Sequence, residues 1–303
     1  MHSLIGTEII SSRQREIKNR RILSKSSDEF AINIQHAIRE KAAELKLVEL
    51  IEVDGRGNTE NQVEQIESFI TQKVDAIILN PYDKTGAAPA VDKAVAAKVP
   101  IIIVNSRVSN LDKATAFAGS DDVAAGIIQT QYVVDRLDGN GTIVIIHGPY
   151  GNSAELQRTE GIKQVLSKYP GIRVAAEQTA NWDRAQAKTL MENWLHTYSD
   201  IDAVIAQNDE MALGAYNAME AAQQEKEMIV VGIDAISDAL KSIQEGKLAA
   251  TVFQDARGQG AKAVELAVKA AKGEQVRHLN DIPFRLVTKG NLSQIQTLKE
   301  YGG

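Results

Sequence analysis

The chain has 303 residues, of which 44% are hydrophobic and 24% charged, with a formal net charge of −6. At roughly 150 residues per domain this length suggests about two globular domains, and the negative charge excludes a general basic field for binding nucleic acid. The sequence contains no cysteine, which excludes disulfides, thiolate nucleophiles and thiolate metal ligands. No apolar run approaches the roughly 20 residues that a membrane-spanning helix requires.

From about residue 48 onward, short β-branched runs alternate with longer stretches of helical periodicity. The alternation predicts an α/β fold in which parallel sheets carry helices on both faces. The predicted strands are residues 48–53, 75–79, 100–104, 115–118, 142–146, 172–176, 203–206, 228–232, 249–253 and 284–288. The predicted helices are residues 29–46, 61–72, 87–97, 121–137, 154–168, 184–196, 210–222, 237–245 and 259–272.

The beginning of the chain fits this pattern less well. A parallel sheet whose first helix begins at Glu29 requires a strand just before it, yet residues 22–25 form a short, poor candidate. Residues 4–10 have a better composition but lie too early in the chain. Residues 13–25 are locally basic, and we interpret them as a solvated basic face. The first residues show no basic-then-apolar signal segment, so the residues themselves leave export open.

Polar or aromatic side chains follow nearly every predicted strand. In open parallel sheets, ligands bind at the carboxyl ends of the strands. Amides donate and accept hydrogen bonds, carboxylates accept them, and an aromatic ring covers the C–H face of a sugar. The combination predicts a site for a polyhydroxylated ligand. For any single Asn or Asp, the alternative is that it caps the helix that follows. The residues are Asn80, Asn105, Ser106, Trp182, Asn208, Asp234 and Gln254, with Arg158 on a following helix.

Evidence for catalysis is weak. The five histidines share no spacing typical of metal ligands, and the sequence has no nucleophile elbow, phosphate loop or dinucleotide fingerprint. No carboxylate is paired with a base in a way that specifies a reaction. The sequence therefore favours a binding protein over an enzyme, and we expect neither a cofactor nor a metal site.

Several segments together resemble one known family. The sequences at residues 206–215 and 230–234 are similar to those of ribose- and inositol-type periplasmic sugar-binding proteins of ABC transporters. The similarity covers roughly residues 28–291. Further matching segments are residues 76–81, 153–161, 178–184 and 246–254.

This resemblance implies two similar, doubly wound parallel-sheet lobes joined by a hinge of three crossings. The first lobe would be residues 1–119 plus 255–283, and the second residues 120–254 plus 284–303. The implied function is a monomeric periplasmic or extracellular receptor, associated with the cell surface, that captures a monosaccharide or cyclitol between its lobes. It would deliver this ligand to the membrane permease of an ABC transporter, without a cofactor, a metal or nucleic acid.

The resemblance also implies which residues contact the ligand, and it shows three departures from the family pattern. The family's clear apolar first strand before the Phe30 loop is degraded here. Ala31 replaces a family aromatic, and Asn105 with Ser106 replaces an aspartate–arginine pair. Because asparagine has one acceptor oxygen and an NH₂ donor, we predict a ligand other than ribose, with an acceptor facing Asn105. A cyclitol, a hexose or a reduced polyol would suit this better. The implied contact residues are Asp28, Phe30, Asn80, Asn105, Ser106, Arg158, Trp182, Asn208, Asp234 and Gln254.

Alternatives remain at two levels. Arg158 could instead form a surface salt bridge with Glu155 or Glu160, and Asn105 could serve only its own turn. At the level of the whole chain, the main alternative is the effector-binding core of a lactose-repressor-type regulator, which shares this fold. That class carries an N-terminal helix-turn-helix, whereas only about 25 residues precede Asp28 and they show no such pattern. An α/β enzyme ranks third.

Overall fold

A computed structural model of the chain describes residues 17–23, 29–45, 48–224 and 228–295. The strands are β1 Ile17–Leu23, β2 Val48–Asp54, β3 Ala76–Leu79, β4 Ile101–Asn105, β5 Ala116–Gly119, β6 Gly141–His147, β7 Ile172–Thr179, β8 Ala203–Ala206, β9 Ile229–Val231, β10 Thr251–Phe253, β11 Leu279–Asp281 and β12 Arg285–Val287. The helices are α1 Glu29–Glu44, α2 Thr59–Thr71, α3 Ala88–Ala96, α4 Asp122–Arg136, α5 Ser153–Leu166, α6 Arg184–Thr197, α7 Asp209–Ala221, α8 Ser237–Glu245 and α9 Ala256–Ala271. Among these helices, none has both the length and the apolar character of a transmembrane span.

Six strands form one parallel sheet in the order β11-β5-β4-β3-β1-β2. Successive side chains of a strand point to opposite faces, and β4 shows this clearly. Ile101 and Ile103 join the core that contains α2 and α3 residues, whereas Ile102 and Val104 join the core that contains α1 and α9 residues. Helices therefore cover both faces of this sheet, as the continuous apolar strands require.

Four strands form a second parallel sheet in the order β7-β6-β8-β9. Its strands alternate in the same way: Ile143 and Ile145 pack with α4 and α5 residues, and Val144 and Ile146 pack with α6 and α7 residues. An antiparallel pair, β10 with β12, adjoins β9 through a bridge between Val231 and Ala250. Both sheets thus have the same helix-covered architecture.

The chain passes between these two groups of elements at three places. Residues 120–121 connect β5 to α4, residues 254–255 connect β10 to α9, and residues 282–284 connect β11 to β12. After the second passage, α9 packs against α1 and against strands of the six-stranded sheet, although it follows the whole second sheet in sequence. Short connections of this kind fix where the strand ends of one sheet lie relative to those of the other.

The predicted α/β class with parallel sheets is confirmed. The first strand was misplaced, because it spans Ile17–Leu23 and pairs on one side with β2 and on the other with β3. Its three cationic residues interrupt the apolar pattern that identifies an interior strand, so the sequence did not indicate a strand within this basic segment. Strand β11 was not predicted, and the other early candidate, residues 4–10, lies outside the described residues.

Candidate ligand-binding cleft

A cleft with a cavity of about 220 Å³ lies between the carboxyl ends of the two parallel sheets. Its volume is below the ~300–1,000 Å³ of sites for drug-sized ligands, which suits a ligand of one ring. Asp28 lies outside the described residues, and every other predicted contact residue lines the cleft. These residues are Phe30, Asn80, Asn105, Ser106, Arg158, Trp182, Asn208, Asp234 and Gln254.

Arg158 of α5 lies at the centre of the hydrogen-bond network beneath the cleft and is only 4% exposed. Its Nε donates to Oδ1 of Asp122 at 2.9 Å, and its Nη2 donates to Oε1 of Gln254 at 3.1 Å. Its Nη1 donates to the carbonyl oxygen of Gln207, and Nη2 lies 4.0 Å from Oδ1 of Asp234. The expected alternative, a surface salt bridge with Glu155 or Glu160, is therefore wrong.

Asp122, which sequence reasoning missed, is the buried carboxylate that holds this guanidinium. It is 1% exposed at the beginning of α4. Burial raises the pKa of the Asp122 carboxyl above its usual range, although the Arg158 guanidinium acts in the opposite direction. A buried ion pair of this kind fixes geometry, and removing one partner leaves the other charge uncompensated. Asp122 therefore positions Arg158 without itself lining the cleft.

Trp182 is presented by a strained turn after β7. Asn181 and Trp182 have φ of 55° and 62°, a left-handed conformation that is uncommon outside glycine. The indole packs directly on the backbone of Gly148, where a Cβ would lie 2.1 Å from the ring. The Arg158 guanidinium carbon lies 5.5 Å from the ring centroid. The ring is thus supported from behind, while it lines the cleft together with the buried Phe30.

Asn208 and Asp234 follow β8 and β9. Oδ1 of Asn208 accepts a hydrogen bond from the Met211 backbone N–H at 2.9 Å, so Asn208 caps α7. Asn208 also lines the cleft. The capping alternative and the site assignment are thus compatible at this position. Asp234 has φ of 126°, held by a 2.8 Å bond from its backbone N–H to the Val252 carbonyl. Both side chains are almost completely buried at the cleft.

Gln254 offers an unpartnered donor at the cleft. Its Oε1 accepts from Arg158, and its buried Nε2 has no hydrogen-bond partner within the described part of the chain. A buried polar group without a partner costs about 1–3 kcal/mol. Gln254 therefore carries an uncompensated buried donor beside the cleft.

The end of β4 places Asn105 and Ser106 at the cleft and Arg107 outside its lining. The Nδ2 group of Asn105 donates to Oε1 of Gln259 at 3.3 Å. This amide therefore bonds to a residue of α9, outside its own turn. Arg107 does not line the cleft, because its guanidinium lies 4.7 Å from the Phe117 ring centroid and contacts Asp281. Ser106 lines the cleft and is 5% exposed. Asn105 and Ser106 therefore form an uncharged end of the cleft.

The rims of the cleft touch each other across its mouth. Nδ2 of Asn152 donates to the Tyr82 carbonyl at 2.9 Å, and the Lys84 N–H donates to the Gly151 carbonyl at 2.9 Å. The Arg107 N–H donates to Oγ of Ser153 at 2.6 Å. These bonds join loops of the first sheet to the beginning of α5, so the structure is a closed form.

Sequence reasoning missed several further lining residues. Asn152 and Asp183 are each the N-cap of a helix, which is what asparagine and aspartate ordinarily do at these positions. Tyr82 follows Asn80 in a loop that Gln62 holds through bonds to the Asn80 carbonyl and the Tyr82 N–H. These three residues lie in loops that follow strands, and that position in the sequence could have indicated them. The missed lining residues include Ala31, Gly57, Pro81, Tyr82, Pro149, Asn152, Ala154, Asn181, Asp183 and Gln186.

Two helix-covered parallel sheets with a small polar cleft between their strand ends define a ligand-binding protein of the two-lobed type. A family model described as a periplasmic binding protein domain matches residues 22–275. The chain therefore belongs to the periplasmic binding protein family, whose members bind solutes and are not enzymes. The family assignment agrees with the predicted resemblance.

Individual relatives are similar over most of the chain. The putative rhizopine-binding protein of Rhizobium meliloti is 41% identical over 276 residues, which is 89% of each protein. An ABC transporter solute-binding protein of Bacillus halodurans with bound myo-inositol is 43% identical, with a TM-score of 0.90 over 93% of this chain and 98% of that one. The Caulobacter myo-inositol-binding protein with bound myo-inositol is 28% identical, with a TM-score of 0.90 over 95% and 98% of the two chains.

The substitution Asp122→Asn tests the role of the buried ion pair. Asparagine removes the charge that compensates Arg158, so we expect the free energy of unfolding to fall by about 3 kcal/mol and ligand affinity to fall with it. Denaturant unfolding monitored by circular dichroism measures the first effect. The matched control is Asp121→Asn, because Asp121 caps α4 from an exposed position and asparagine caps equally well. Equal stability of the two variants would contradict this role for Asp122.

Proposed function

We propose that this protein is an extracytoplasmic receptor that captures a cyclitol or a related monosaccharide and presents it to the membrane permease of an ABC transporter. The observation that carries the proposal is the composition of the cleft: amides, one guanidinium, two carboxylates and three aromatic rings around a cavity of about 220 Å³. Such groups satisfy many hydroxyls at once, because amides donate and accept while aromatic rings cover C–H faces.

A cyclitol fits the uncharged end of the cleft. Asn105 and Ser106 stand where the resembling ribose-type proteins have an aspartate and an arginine, so we expect a ligand other than ribose. Two relatives with TM-scores of 0.90 hold myo-inositol, and one of them is 43% identical to this chain. The predicted contact residues, apart from Asp28, are then the ligand contacts.

The two sheets and their helices would form the two lobes: residues 1–119 with 255–283, and residues 120–254 with 284–303. In support, the three passages lie close to these boundaries and α9 packs on the first sheet. A ligand that contacts Asn80 and Asn105 on one side and Arg158 and Asp234 on the other would favour the closed form over an open one, because only the closed form makes both sets of contacts. We further infer a periplasmic or extracellular monomer whose closed surface the permease recognises, since the relatives named above include ABC transporter components.

Titration calorimetry with myo-inositol, D-ribose, D-glucose and xylitol tests this function. We expect myo-inositol to bind more tightly than D-ribose by at least about tenfold, or ~1.4 kcal/mol. A tenfold preference for D-ribose would contradict the cyclitol assignment. Absence of binding by the whole panel would contradict the function itself.

The substitution Trp182→Ala tests the aromatic face of the site. Loss of the indole removes the surface that covers one side of the ligand ring, so we expect the Kd for myo-inositol to rise at least about tenfold, or ~1.4 kcal/mol. Trp194→Phe is the control, because Trp194 is buried within α6 and does not line the cleft. An unchanged Kd in the Trp182 variant, measured by calorimetry, would remove Trp182 from the site.

A further inference from the structure

The Asn105 side chain is held by a residue far away in sequence. Its backbone adopts a left-handed conformation with φ of 63°, which asparagine tolerates better than most residues. Its Nδ2 donates to Oε1 of Gln259 at 3.3 Å, whereas no described residue donates to its Oδ1. Because the donor and acceptor lie on opposite sides of a carboxamide, using Nδ2 inside the protein leaves Oδ1 for the cleft.

Both polar atoms of the Gln259 amide are hydrogen-bonded in the structure. Gln259 lies in the first turn of α9 and is completely buried, and its Nε2 donates to Oγ of Ser120 at 3.0 Å. Ser120 is 1% exposed and lies in the first passage between the sheets. With the Gln259 amide in this orientation, rotating the Asn105 amide by half a turn would place its oxygen against Oε1 of Gln259, and two acceptors would then face each other without a hydrogen.

We propose that Gln259 is a specificity-determining positioning residue, which orients the Asn105 amide so that its carbonyl oxygen faces the ligand. This inference rests on the proposed function, and it reverses the earlier expectation that a ligand acceptor faces Asn105. The cleft selects a ligand that donates a hydroxyl hydrogen at this strand end. A ligand with a ketone at that position is rejected, because its oxygen would meet the Asn105 oxygen.

Two properties of the contact and one general rule support this role. Gln259 does not line the cleft, so it acts through Asn105 rather than by touching the ligand. Asn105 ends β4 and Gln259 lies on α9, which packs on β4, so the contact is made within one packed unit and does not depend on the closed rims. Sites built to hydrogen-bond a ligand hydroxyl reject analogues that lack it far more strongly than apolar pockets do.

The test compares three variants with the wild type. Gln259→Met has a similar length but no hydrogen-bonding amide, so it frees Asn105 to turn. Gln259→Glu keeps an acceptor for Nδ2, and its second oxygen accepts from the Ser120 hydroxyl. Gln129→Met is the matched control, because Gln129 is equally buried, donates to the Ala206 carbonyl and does not line the cleft.

The first measurement is calorimetric binding of myo-inositol and of its oxidised derivatives in which one CH–OH group is a ketone. We expect the wild type to discriminate against at least one of these ketones, and Gln259→Met to reduce that discrimination about tenfold. Gln259→Glu should restore it, and Gln129→Met should leave it unchanged. In an Asn105→Ala background, Gln259→Met should have no further effect on discrimination, because the interaction it disrupts is already gone. Equal discrimination by the wild type and Gln259→Met overturns the proposal.

The second measurement needs no ligand. The side-chain NH₂ signals of Asn105, assigned by their loss in Asn105→Ala, report hydrogen exchange in the free protein by ¹⁵N-edited NMR. We expect faster exchange in Gln259→Met and wild-type exchange in Gln259→Glu, and equal exchange in the wild type and Gln259→Met overturns the orientation. If no member of the panel binds the wild type, the proposed function fails, whereas the exchange rates still decide whether Gln259 holds Asn105.

Discussion

The burial of Arg158 is the constraint on which the rest of the cleft depends. A guanidinium that is 4% exposed needs compensation from its neighbours, and the chain supplies it from four different elements or loops. Asp122 neutralises it, the Gln207 carbonyl and Gln254 accept from it, and Asp234 lies within 4.0 Å. Satisfying this one side chain therefore brings the ends of several strands to fixed positions around the cavity.

The direction of the parallel strands explains why the two sheets meet at the cleft. Parallel strands bring their carboxyl ends to one edge of a sheet, and the three passages place two such edges opposite each other. Polar residues that cap helices within one sheet then also line a shared cavity, as Asn208 and Asn152 do. In both residues Oδ1 caps a helix, while Nδ2 donates to a backbone carbonyl, that of Tyr82 for Asn152 and that of Trp182 for Asn208.

The sequence predicted the α/β class and the strand ends that line the cleft, because β-branched runs and the residues after them are local features. It missed what depends on distant contacts. Strand β1 was missed because Lys18, Arg20 and Arg21 interrupt its apolar pattern. Strand β11 was missed because it is only three residues long. The partners Asp122–Arg158 and Gln259–Asn105 are 36 and 154 residues apart, so no spacing rule could pair them.

A ligand that contacts both halves would hold them together, and small-angle X-ray scattering with and without myo-inositol detects such closure. We expect a smaller radius of gyration at saturating ligand, because ligand binding stabilises the closed form in which the Tyr82 carbonyl meets Asn152. Saturating binding, verified by calorimetry on the same sample, with an unchanged scattering curve would contradict it.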